Sequence, residues 1–159
     1  MPYDFYDYAA VRTLLGLSAK ELPDTEIAQD TIANQLTMDF LSIDVDILDY
    51  YDNAVAEDTD AALNFVLALD TYAPLAVATF LLPGLPQFSP RSVTDGKAGF
   101  TRFSDSPYKV TIDRVQQARF DHRRRLRDFY SVYLGLTPEP LSASTRFAVS
   151  TPTYDPVTG

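Results

Sequence analysis

The stretch from Thr59 to Pro83 constrains this chain more than any other. It reads T-D-A-A-L-N-F-V-L-A-L-D-T-Y-A-P-L-A-V-A-T-F-L-L-P. Thr59 is a good N-cap, and Asp60 puts a carboxylate in the first turn, where the helix dipole favours it. Leu63, Val66, Leu67 and Asp70 recur at helical spacing, and Leu75, Ala78, Thr79 and Leu82 continue on a similar face. Alanines at 61, 62, 68, 73, 76 and 78 let neighbouring helices come close. A helix that is apolar nearly all round is a buried one. Pro74 lacks a donor and predicts a kink near residues 70–74. The length would also suit a membrane span. Asp60, Asn64, Asp70 and the internal proline weigh against that, so the stretch is expected to be the core helix of a folded domain.

The remaining chain is expected to pack around it. At 159 residues and 46% apolar, one domain with an added arm is expected. Cysteine is absent, which excludes disulfides, thiolate metal sites and a cysteine nucleophile. The opening M-P-Y-D-F-Y-D-Y lacks a basic region followed by an apolar run, so no secretory leader is expected.

Charge is unevenly distributed. Residues 1–70 hold fifteen acids and two bases, a net of −13, whereas residues 91–127 hold ten bases and four acids, a net of +6. Such segments can pair within one chain or head-to-tail between copies; the second favours rings. The overall −9 argues against the whole domain being a nucleic-acid binder.

Asp4 or Asp7 can cap a first short helix through Tyr8, Val11, Leu14 and Leu15, with Gly16 closing it. Ser18 and Glu21 have capping-box spacing but open at most a turn before Pro23. Residues 25–35 read equally as a helix start or a loop. The run T-M-D-F-L-S-I-D-V-D-I-L-D-Y-Y from Thr37 alternates in part, yet Phe40, Ile43, Ile47, Leu48 and Tyr51 form a helical stripe. A single helix over roughly 33–53 is expected, with Asp39, Asp44, Asp46, Asp49 and Asp52 on its outer side. These aspartates lack the turn glycine and terminal glutamate of a calcium loop, so a solvated or partner-facing acidic surface is expected and no metal.

Pro83, Pro86 and Pro90 mark an extended connection over 83–90, and Asp95-Gly96 then marks either a small hairpin or a loop within about 83–105. Arg91, Asp95, Gly96 and Lys97 are its candidate contact residues. Ser106-Pro107 starts a long helix that Gly135 ends. Val115, Ala118, His122, Leu126, Phe129, Tyr130 and Tyr133 are expected on its packed face. Arg119, Arg123, Arg124, Arg125 and Arg127 occupy the rest, with no aromatic expected to interleave on the same face. These arginines read as a solvated or internally paired face, as an intersubunit contact with Asp44, Asp46 and Asp49 of another copy, or as a nucleic-acid contact. His122 is expected to be a packing residue. No nucleophile–base or metal constellation supports an enzyme, and no cofactor is implied. The closing residues 136–159 form an extended arm, disordered alone or laid along another chain through Phe147, Val149 and Tyr154. The fold class is all-α: a compact bundle of about four helices over 1–135, followed by that arm.

Four stretches in this order resemble the small head–tail connector (adaptor, or head-completion) proteins of tailed bacteriophages. They are V-R-T-L-L-G-L-S-A-K-E-L-P-D at 11–24, A-T-F-L-L-P-G-L-P at 78–86, S-V-T-D-G-K-A-G-F-T-R-F at 92–103 and T-P-T-Y-D-P-V-T-G at 151–159. The aspartate-rich 37–52 segment and the long tail depart from the pattern. The resemblance implies a helical bundle assembled as a twelve-fold ring in the virion, put together in the host cytoplasm. It implies the portal protein and a downstream tail or stopper protein as partners. Genomic DNA would pass through the channel without sequence-specific binding, and no membrane is involved. It also implies an arm gripping the portal, assigned to Phe147, Val149, Tyr154, Asp155 and Pro156. By charge, acids suit the channel lining, whereas Arg123, Arg124 and Arg127 should face a neighbour or the portal. The alternative reading is a nucleic-acid-binding helical regulator using Arg119–Arg127.

Overall fold

A computed structural model describes residues 6–85, 92–95, 98–101 and 106–138. Helix α1, Tyr8–Leu15, opens where the Asp7 carboxylate accepts from the Ala9 N–H. It closes at Gly16, whose φ of 67° is the left-handed conformation that a side chain disfavours. The Gly16 and Leu17 N–H groups donate back to the Thr13 and Arg12 carbonyls, satisfying the last turn, and Leu17 is buried beneath it. Ser18 and Glu21 form the expected single turn: the Glu21 carboxylate accepts from both the N–H and the hydroxyl of Ser18 at 2.8 Å. Leu22 follows into the core, and α2, Asp24–Ile27, starts behind Pro23.

Two helices occupy the region where one was expected. Helix α3 is Asp30–Leu41 and α4 is Ile47–Val55. The five residues between them redirect the chain. The Ile43 and Asp44 N–H groups both donate to the Phe40 carbonyl, and the Asp44 carboxylate accepts from the Asp46 N–H at 2.9 Å. A short polar side chain that captures a backbone donor two residues on competes with helix continuation. Phe40 and Ile47 are still both buried, so the apolar stripe survives the break.

Helix α5, Asp60–Leu81, is the axis of the bundle and contacts α1, α3, α4 and the last helix. The Thr59 hydroxyl accepts from the Ala62 N–H, as its cap position requires. Pro74 lies within the helix without ending it. The packed side carries Ala62, Phe65, Leu69, Tyr72, Ala73, Ala76 and Val77. Leu63 and Leu67, expected on the core stripe, instead lie outside with Asn64 and Asp70. The alanines contribute to the reversal: Ala62, Ala73 and Ala76, set among the larger Phe65, Leu69 and Tyr72, let the neighbouring helices approach closely on that side. The stretch Asp60–Gly84 is long and apolar enough to cross a membrane, and 61% of its most apolar window is buried among the other helices.

After a 3-10 turn at Leu82–Gly84, strands β1 (Ser92–Asp95) and β2 (Ala98–Thr101) pair antiparallel, Ser92 opposite Thr101 and Asp95 opposite Ala98. The hairpin alternative therefore holds, with Asp95 inside the ladder. Helix α6, Ser106–Tyr133, packs along α5 more extensively than any other pair of helices pack together. Gly135, at φ 70°, closes it with the same cap as Gly16. Phe65 stacks on Tyr133 with centroids 5.3 Å apart and meets Tyr130 at the same distance; Tyr50 of α4 meets both tyrosines edge-on. The described chain is thus an all-α bundle with one small hairpin. From residue 139 on, the arm lies outside the described residues.

Candidate functional site

Two features carry the chemistry of the surface: a shared carboxylate between α3 and α6, and the residual charge around it. The side chain of Asp39 is only 9% exposed. One of its oxygens accepts from the Tyr72 hydroxyl and, at 3.0 Å, from the Arg119 guanidinium. The other lies 3.3 Å from Arg123. Arg123 also donates to the Ser42 hydroxyl, and Arg119 donates to the Tyr72 oxygen at 3.3 Å. The Arg119 guanidinium stands 5.1 Å from the centre of the Phe80 ring, a cation–π distance. Asp39 was expected on the solvated side of its helix. It points inward, because its carboxylate is the counter-charge for two arginines that α6 brings to the packed side.

This arrangement shifts the groups involved. Burial first, and then the bond to Asp39, push the Tyr72 phenol up to about 12. Burial opposes the charge on Arg119, but bonds to Tyr72 and Asp39 outweigh it and hold its pKa above the ordinary value. The Arg123 Nε is buried without a hydrogen-bond partner. Beside the cluster, an open groove of about 630 Å³ runs between α3 and the end of α5, lined by Thr31, Asn34, Gln35, Met38, Ser42 and Phe80.

On α6 the packed stripe is Ile112, Val115, Arg119, Leu126, Tyr130 and Tyr133, with Arg123 at its edge. Phe129, expected to be packed, is exposed. Arg124, Arg125 and Arg127 are exposed, and so is Phe120, at 65%. An aromatic therefore does stand among the outer arginines, contrary to the expectation of none. His122 is half-buried; burial and the charge of Arg125 hold its pKa below the usual value. Asp46 and Asp49 are exposed and Asp44 is half-buried, where it turns the chain. A second tie joins α4 to α5: the Tyr51 hydroxyl donates to Asp70 at 2.8 Å. Burial and this bond raise Tyr51, and burial raises Asp70.

Asp44, Asp46 and Asp49 are not joined to Arg119, Arg123, Arg124 or Arg127 within the chain in any described ion pair. Asp95 lies in β1; Arg91, Gly96 and Lys97 lie outside the described residues, as do Phe147, Val149, Tyr154, Asp155 and Pro156. Among the described residues no group of three or more histidines, aspartates or glutamates is placed to hold a metal ion. No family model, characterised protein or solved structure matches the chain.

Proposed function

We propose that the protein is a structural component of a phage virion: a head–tail adaptor that forms a ring under the portal, extends the DNA channel and joins head to tail. The observation that carries the reading is the charge left over after internal pairing. Asp39 takes Arg119 and Arg123, while Asp46, Asp49, Asp58 and Asp60 stay exposed and Arg124, Arg125 and Arg127 stay exposed elsewhere. Unmatched faces of opposite sign on one small bundle suit head-to-tail contacts between copies. An acidic excess also suits a channel wall that duplex phosphate must slide past. In this reading Arg124 and Arg127 meet a neighbour or the portal. The arm residues Phe147, Val149, Tyr154, Asp155 and Pro156 grip the portal.

A second reading draws on Phe120 among the outer arginines: a nucleic-acid contact on α6. It loses Arg119 and Arg123 to Asp39, and the acidic half repels phosphate.

Native mass spectrometry with and without a purified portal ring separates the two. Stoichiometric binding to a twelve-fold portal supports the adaptor. A chain that ignores portals yet binds duplex DNA with steep salt dependence overturns it in favour of the second reading.

A further inference from the structure

Two exposed helix faces match each other in chemistry and in length. On α5, Leu63 and Leu67 are 53% and 65% exposed. Asp60 lies three residues before Leu63 and Asp70 three after Leu67, so all four share one side of the helix. The leucine pair is thus bracketed by carboxylates over ten residues, about 15 Å of helix. On α6, Phe120 is 65% exposed. Arg124 and Arg127 stand four and seven residues on, on the same side, and both are exposed. That patch is an aromatic flanked by guanidiniums over about 10 Å.

These patches cannot meet within one chain. Helices α5 and α6 pack through their opposite sides, Phe65 against Tyr130 and Tyr133, so the two patches face away from each other across the bundle. An exposed leucine pair and an exposed phenylalanine, each rimmed by charge of opposite sign, form the apolar centre and polar rim of a protein–protein contact. We propose that the occupant of each patch is a second copy of this chain: Phe120 of one copy sits on Leu63 and Leu67 of the next, with Arg124 and Arg127 against its Asp60 and Asp70. Because the two patches differ, every copy keeps one free patch after pairing, and association runs head-to-tail. The closed ring rests on the adaptor reading; the contact itself does not, and its test contains no portal.

The test is sedimentation velocity on wild type, Phe120→Glu, Leu67→Arg and an equimolar mixture of the two variants. Wild type is expected to grow in mass with concentration and to dissociate as salt is raised. Each variant alone is expected to stay a monomer with an unchanged helical circular dichroism signal. The mixture is expected to stop at two chains, because one intact patch of each kind is all it can join. Phe120→Ser and Leu67→Ser, which add no charge, are expected to repeat this two-chain limit and take over if a charged variant loses its helical signal. Monomeric wild type at every concentration, or a mixture that forms no two-chain species, overturns the proposal. So does a wild-type monomer that sediments faster only with a single-stranded oligonucleotide and loses that shift in Phe120→Glu, since the face then belongs to nucleic acid.

Discussion

Asp39 is a single carboxylate answering two guanidiniums and a phenol. Removing its charge leaves both arginines partly enclosed with no counter-ion, which costs more than the pair contributes when intact. Asp39→Asn is expected to lower unfolding free energy by about 2–3 kcal/mol in urea melts. Adding Arg123→Met to that variant should cost less than Arg123→Met alone, since the two residues share one interaction. Tyr72 gives a pH signature. Its folded pKa, about 12, lies above the roughly 10 of an unfolded tyrosine, so the folded state holds the proton longer. Its contribution is complete below pH 10 and is lost as pH rises toward 12, on the order of 2 kcal/mol. Tyr72→Phe should flatten that part of the alkaline stability curve. Tyr51 and Tyr130 are also raised, mainly by burial, and leave a residual slope of the same sign.

At the scale of elements, α5 offers a direct measurement of which side is core. Leu69→Ala is expected to destabilise by about 3 kcal/mol, whereas Leu67→Ala should change stability by no more than about 0.5 kcal/mol. Chemical denaturation of the two variants decides it, and equal losses would mean that Leu67 is packed. Gly16→Ala should cost about 1 kcal/mol through backbone conformation alone, because nothing lies near an added methyl group. The helix ends were legible in the sequence, since Asp7, Gly16, Thr59 and Gly135 act through their own backbone neighbourhoods. The faces of α5 were not. Periodicity weighs large apolar residues, and here the large ones at 63 and 67 point outward while alanines mark the close approach. The break at 42–46 was hidden for a related reason: Ile43 and Ile47 keep a helical stripe running while Asp44 diverts the backbone. Asp39 looked like one more acid in a run. Its role depends on Arg119, eighty residues away, and only the packing of α6 on α5 brings the two together.

For the whole molecule, the division into a bundle over 1–135 and an arm is a claim about stability as much as function. Deleting residues 141–159 is expected to leave the melting temperature of the helical signal unchanged to within about 2 °C, while weakening attachment to a portal ring. A truncated chain that fails to fold would make the tail part of the core. The chain also has a direction in time. Asp39 leaves the ribosome with α3, and Tyr72 follows 33 residues later, but its first arginine arrives only after 80. Until then α3, α4 and α5 can assemble around a carboxylate that has no cation, and water must stay in contact with it. The seam between α3 and α6 can therefore seal only once nearly the whole bundle has been made, so a chain arrested before residue 119 is left open along that side.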